Sequence, residues 1–182
     1  MKFIFMLKVG VLGAGHLGKI HLRLLNQSEK YELVGFFDPF EENATKVAAE
    51  FGYKKFDSIE SLIAEVDVVD IVTPTIQHFE CAKMVIEAGK HIFIEKPIAT
   101  TVEEAEEIVA LANKYNVKGQ VGHVERFNPA FTAVKDMIDK PMFLGFVSSH
   151  NSYPKIVHNL LYCCIFSKFK IIMIIINCLV KF

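Results

Sequence analysis

The glycines of Gly13-Ala14-Gly15-His16-Leu17-Gly18 stand at a junction. Before them runs a short β-branched segment, "LKVGVLG" (7–13). After them comes "HLGKIHLRLLNQ", in which Leu17, Ile20, Leu24 and Leu25 recur at helical spacing. Glycine in the first, third and sixth positions of a strand-to-helix turn leaves few folds open. Gly13 permits the tight turn, Gly15 lets backbone approach a pyrophosphate, and Gly18 lets the helix lie close on its sheet. The helix start, which includes Ala14, His16 and Leu17, then presents unsatisfied N–H groups and a positive dipole end to phosphate. The bland alternative is a structural glycine turn with no ligand.

Asp38 closes the next apolar run, "YELVGFFD", 25 residues after Gly13. A carboxylate there accepts hydrogen bonds from the adenine ribose and repels a 2′-phosphate, which favours NAD while leaving NADP open. Asp38-Pro39 also reads, more modestly, as a turn-initiating dipeptide.

Beyond this the chain alternates. "EENATKVAAEFG" is a helix closed by Gly52, and "SIESLIAEV" a short helix leading into the strand "DVVDIVTP". "FECAKMVIEAGK" is a helix ending at Gly89, and "HIFIE" another strand. Thr101 and Glu104 make a capping box, behind which Val102, Ala105, Ile108, Val109, Ala112 and Tyr115 are expected to be buried. "KGQVGHV" is the last strand. Strands separated by helices require crossover connections, hence an α/β fold: a doubly wound, Rossmann-type parallel sheet in a three-layer sandwich.

Ligands of such sheets bind at the carboxyl ends of the strands. Three stretches fall there. In "TPTIQHF", Thr73 and Thr75 are candidates to line the nicotinamide side, and His78 either faces the cofactor or is a satisfied histidine at a helix start. Glu95-Lys96-Pro97 follows "HIFI", and the proline restricts Lys96 to extended backbone. Taken alone, Lys96 reads as a solvated surface charge. In "GHVERFNPAF", His123, Arg126 and Asn128 approach a substrate or its phosphates, or else Arg126 pairs with an acid and Asn128-Pro129 starts a turn.

The glycine fingerprint, the strand-end Asp38, "AGKHIFIEKPIATTVEEA" and "VGHVERFNPA" together resemble the glucose–fructose oxidoreductase and inositol dehydrogenase family (Gfo/Idh/MocA). The resemblance runs from Lys8 to Met142. It implies an NAD(P)-dependent oxidoreductase that moves a hydride to or from a hydroxyl-bearing carbon of a sugar, nucleotide sugar or cyclitol. Glu95 and Lys96 then border the cofactor. Lys96 becomes the catalytic lysine, hydrogen-bonded to the reacting oxygen, and Pro97 is commonly cis in the family. "GHVERFNPAF" is similar to the stretch in members acting at C3 of UDP-N-acetylglucosamine-type sugars.

The resemblance stops at a break in composition. All 21 acidic residues lie at or before Asp139, and from Phe143 onward four lysines are the only charged side chains. Residues 1–142 thus read as the nucleotide-binding domain, and 143–182 as an atypical tail in place of the family's second α/β domain. That tail reads as translation out of frame, the alternative being a natural segment that packs on the domain or pairs with a partner. Ile171–Ile176 is uncharged, β-prone and free of proline, an aggregation hazard if exposed. A net charge of −1 gives no reason to expect nucleic acid, and the ten-residue run "IIMIIINCLV" is short for a membrane span. Four cysteines without metal-like spacing fit reduced thiols and a cytoplasmic protein with no bound metal. Oligomers are implied by the resemblance, weakened without the second domain.

Overall fold

A computed structural model of the chain describes residues 6–129 and the backbone strands Tyr162–Ile165 and Ile172–Ile175. The chain divides into two compact units, Met1–Gly122 and His123–Phe182. The first contains β1 (Leu7–Leu12), α1 (His16–Asn26), β2 (Tyr31–Phe37), α2 (Glu41–Phe51) and α3 (Ile59–Glu65). It continues with β3 (Val68–Ile71), α4 (His78–Glu87), β4 (His91–Ile94), α5 (Val102–Lys114) and β5 (Gly119–Val121). In the second unit, β6 (Tyr162–Ile165) and β7 (Ile172–Ile175) pair antiparallel. The compositional boundary after Met142, and most of the tail's expected features, lie outside the described residues.

All five strands of the first unit are parallel, in the order β2-β1-β3-β4-β5. An isolated parallel bridge pairs Phe36 with Lys55 on the outer side of β2. One bridge residue thus stands where a Rossmann sheet carries its third strand, so the order corresponds to 3-2-1-4-5-6. The switch point falls between β1 and β3, beside the glycine turn.

Side-chain alternation along the strands feeds two cores. Val11, Leu22, Phe36, Ala44 and Val47 pack beneath α1 and α2. Leu12, Leu62, Val69, Ile71, Val85, Ile86, Ile94 and Ile108 pack against α3, α4 and α5. The doubly wound, three-layer α/β fold is therefore present.

Two helix faces differ from expectation. On α1 the buried residues are Gly18 and Leu22, with Leu25 partly covered, whereas Leu17 and Leu24 are 43% and 55% exposed. On α5 Ile108 is buried and Leu111 and Ala112 are packed beside it, whereas Val102 and Val109 are 68% and 55% exposed. Successive helical residues turn by about 100°, so Leu17 and Leu24 lie about 100° or more off the Gly18–Leu22 stripe, and Val102 and Val109 equally far off Ile108. Tyr115, also expected inside, sits at the C-cap beyond the last helical residue and is exposed. Apolar periodicity alone does not fix the buried stripe of α1, because Gly18, having no side chain, carries no weight in it. The capping box at Thr101 and Glu104 forms as expected.

Candidate functional site at the carboxyl edge of the sheet

The glycine turn is made by close backbone approach. Gly13 has φ +94°, and a Cβ on it would lie 2.8 Å from the Val72 carbonyl oxygen. A Cβ on Gly18 would lie 2.0 Å from the Gly13 carbonyl oxygen, which no rearrangement of a side chain relieves. Gly15 differs: the space in front of it is open. It is also the N-cap of α1, with no side-chain cap and no acid in the first turn. His16 and Leu17 are exposed on that turn, and Ala14 is buried beneath it. Uncapped N–H groups facing open space are what a pyrophosphate requires.

Asp38 ties this loop to β2. Its Oδ2 accepts from the Ala14 N–H at 2.8 Å and from Asn43 Nδ2 at 3.2 Å, and its Oδ1 accepts from the Phe40 N–H at 2.9 Å. Asn43 Nδ2 also donates to the Ala14 carbonyl at 3.1 Å. A carboxylate accepts about four hydrogen bonds, which leaves about one place, on Oδ1, for a ribose hydroxyl. Asn43 was not picked out from the sequence; it lies five residues after Asp38, in the first turn of the following helix. Beside this loop an open pocket of about 470 Å³ is lined by Pro39, Phe40, Glu41, Glu42, Asn43 and Lys46.

At the other end of the edge the chain leaves β3 through Thr73. The Thr73 hydroxyl is buried beside the Cys81 thiol and has no nitrogen or oxygen partner. The face Thr73 can offer a ligand is therefore its backbone. Burial pushes the Cys81 thiol up, against the pull of that hydroxyl. Thr75, half-buried, begins the short 3-10 turn Thr75–Gln77. His78 is 1% exposed, with Nδ1 2.8 Å from the Pro97 carbonyl oxygen and Nε2 2.9 Å from that of Thr73. Both ring nitrogens are engaged by backbone, so His78 does not face the cofactor as one reading had it; it braces two loops.

Lys96 follows β4, half-buried, and the Lys96–Pro97 bond is cis. Its peptide N–H donates to Glu95 Oε2 at 3.1 Å. The ammonium group makes no ion pair among the described residues. Glu95 is itself 7% exposed, and its Oε1 lies 3.5 Å from His21 Nε2. His21 Nδ1 is 2.8 Å from Asp70 Oδ2, in the middle of β3. Neither His21 nor Asp70 was picked out from the sequence. The available signal was an acid inside the otherwise apolar strand "VVDI", since parallel strands covered on both faces are nearly all apolar. Among the described residues no three such side chains are disposed to hold a metal ion.

The first unit thus brings together Gly13 to Gly18, Asp38, Thr73, Thr75, Glu95 and Lys96 along one edge. His123, Arg126 and Asn128 belong to the second unit, where 3-10 turn Val124–Phe127 follows β5. His123 and Arg126 are exposed there, Asn128 is half-buried, and the Arg126 N–H donates to the His123 carbonyl at 3.1 Å.

Comparison with known proteins agrees with this geometry. A family model described as "Oxidoreductase family, NAD-binding Rossmann fold" (GFO_IDH_MocA) matches residues 7–123. The UDP-N-acetylglucosamine 3-dehydrogenase of Acidithiobacillus ferrooxidans is 41% identical over 128 residues, covering 68% of this chain and 39% of that protein. The inositol 2-dehydrogenase of Rhizobium meliloti is 35% identical over 134 residues, covering 72% of this chain and 40% of that protein. Among solved structures, GenD2 from gentamicin A biosynthesis, in complex with NAD, superposes with a TM-score of 0.71 at 26% identity, covering 82% of this chain and 43% of the other. The chain therefore spans about two fifths of the length of the curated relatives it matches. The matched residues span both the glycine turn and the Glu-Lys-Pro exit, and the chain belongs to the Gfo/Idh/MocA oxidoreductase family, built on an NAD-binding Rossmann fold.

Proposed function

We propose that this chain carries the cofactor-binding half of an NAD-dependent oxidoreductase acting on a sugar-like secondary alcohol, with Lys96 as its catalytic lysine. The observation that carries the reading is Lys96 presented at the same sheet edge as the uncapped α1 terminus and the Asp38 loop. The nicotinamide cofactor, when bound, supplies the hydride acceptor or donor. The chain's own residues would bind and orient. The N–H groups at the start of α1 bind phosphate, and Asp38 holds a ribose hydroxyl. The Lys96 ammonium stabilises negative charge on the reacting oxygen.

NAD is favoured over NADP by the charges around Asp38. Glu41 and Glu42 lie in the first turn of α2, and the nearby cations are engaged, Lys46 with Glu42 at 2.7 Å and Lys55 with Glu41 at 2.5 Å. Among the described residues, the cations beside this loop, Lys46 and Lys55, are thus both neutralised by acids of α2. The substrate class we favour is a nucleotide sugar of the UDP-N-acetylglucosamine type, oxidised at C3. Support comes from the Acidithiobacillus ferrooxidans relative and from "GHVERFNPAF", whose His123, Arg126 and Asn128 would serve the substrate. A cytoplasmic setting suits the free, buried Cys81.

Calorimetric titration of the full chain tests the cofactor reading. NAD is expected to bind at least about tenfold more tightly than NADP, about 1.4 kcal/mol; equal affinities would sink the assignment of Asp38. A panel of UDP-sugars and cyclitols then tests turnover, with Lys96→Met expected to lower it about 100-fold while leaving NAD affinity unchanged. A second reading, nucleotide binding without turnover, rests on the uncapped α1 terminus and the Asp38 loop alone, which need no catalytic group. NAD binding with no oxidation of any panel member would establish it.

A further inference from the structure

Among the described residues, the buried polar or charged side chains are Asp38, Asp70, His78 and Glu95. Asp38 closes the nucleotide loop and His78 braces two carbonyls. Asp70 and Glu95, joined through His21, have no such duty. Stability does not explain them. Buried ion pairs replaced by well-packed apolar groups usually leave a protein as stable or more so. Asp70 Oδ1 is moreover buried with no hydrogen-bond partner, a cost that a valine in the same place would not incur.

The geometry of the cluster runs in one direction. Asp70 Oδ2 holds His21 Nδ1 at 2.8 Å, which orients the ring and leaves Nε2 at ion-pair distance, 3.5 Å, from Glu95 Oε1. The other Glu95 oxygen accepts the Lys96 peptide N–H at 3.1 Å. The Phe93 ring, its centroid 6.2 Å from that of His21, borders the imidazole. Space for the Glu95 carboxylate is secured from β5's side, since a Cβ on Gly122 would come within 2.6 Å of Oε1.

We propose that His21 is a positioning residue for Lys96: by bridging Asp70 and Glu95 it keeps the Glu95 carboxylate against the Lys96 peptide N–H, and so fixes the backbone from which the lysine is presented. The inference rests on the reading of Lys96 as a site lysine. The charged groups that face the ring are Asp70 from β3 and Glu95 from the end of β4. Burial disfavours the imidazolium, but the Asp70 hydrogen bond and the charges of Asp70 and Glu95 outweigh it, so the pKa is raised above 6.5. When His21 loses its proton, the nitrogen bonded to Asp70 can keep its hydrogen while Nε2 loses the positive charge it holds beside Glu95. Glu95, and with it the Lys96 amide, then feels the titration of a side chain on another helix.

The test is a pH titration of the isotope-labelled full chain by nuclear magnetic resonance, following the His21 ring and the Lys96 amide together. The expected result is one shared midpoint in the wild type. In His21→Gln the Lys96 amide should become independent of pH in that range, and in Asp70→Asn the His21 midpoint should move down. A Lys96 amide that ignores His21's titration in the wild type, a measurement needing no variant, overturns the proposal; so does an unchanged Lys96 titration in His21→Gln. Calorimetry with NAD on the same sample separates the two readings. A shared midpoint without NAD binding overturns the cofactor reading and keeps the coupling, whereas NAD binding without a shared midpoint overturns the role of His21.

Discussion

At the β1–β2 end of the carboxyl edge the chain builds its ligand surface by leaving side chains out. Gly13 and Gly18 bring backbone within contact distance of backbone, Gly15 leaves open space in front of the turn, and the groups on offer are peptide N–H donors. At the β3–β4 end the opposite holds. His21, Asp70, His78 and Glu95 are charged or polar side chains, mostly buried, converging on the Glu95-Lys96-Pro97 exit. A pyrophosphate is met by N–H groups whatever the rest of the molecule does, so a backbone cradle suffices. A catalytic lysine has four rotatable bonds and no fixed direction of its own, so its backbone has to be held from outside. One end is built by backbone with side chains left out, the other by buried side chains engaged with one another and with backbone carbonyls.

The largest predicted effect attacks the first end. Gly18→Ala puts a methyl group against the Gly13 carbonyl, backbone that cannot give way, and should cost about 3 kcal/mol of unfolding free energy in a urea melt. A loss under about 0.5 kcal/mol, the gain in helix propensity having offset the clash, would show that the two segments are not locked together.

At the second end, His78→Leu removes the imidazole that sits between the Thr73 and Pro97 carbonyls and donates to one of them. A loss of about 2 kcal/mol is expected in the same melt, with His78→Gln recovering part of it. An unchanged melt would mean that water replaces the ring and that the brace is dispensable.

Stability against pH sharpens the contrast, because the side-chain end holds His21, whose pKa is raised by its partners in the folded chain. The folded pKa of His21 lies above its unfolded value, so its contribution is complete below about 6.5 and is lost as the pH rises through the folded value. Thermal melts taken upward from about pH 6 should fall over that window and flatten in His21→Gln. A wild-type melting temperature that rises there would contradict the bridge.

The smallest effect lies away from both ends. Val109→Ser on the exposed side of α5 should change stability by no more than about 0.5 kcal/mol. A loss above about 1 kcal/mol would show that this face is covered by another part of the chain or by a second copy.

Much of this molecule was legible before any coordinates. The strand–helix alternation follows from period-two and helical spacing, and the edge carrying the site follows from where each strand ends. Gly13 to Gly18, Asp38 and Lys96 were legible because each is tied to a junction that sequence order alone locates. The Lys96–Pro97 isomer, by contrast, was only implied by resemblance, and the cis bond is a property of the folded chain.

Local order along the chain thus determined the fold class and the α5 capping box, which rest on the alternation of strands and helices and on neighbours within a few residues. Tertiary structure decided what depends on partners far apart in sequence. It gave α1 the Gly18–Leu22 stripe instead of Leu17 and Leu24, and it turned His78 inward onto two carbonyls. It also brought His21 to Asp70, 49 positions away, and from there to Glu95. The physical reason is that hydrogen bonds and charge pairs act over a few ångströms of space. Only the sheet's strand order, which places β1, β3 and β4 side by side, decides which residues come that close.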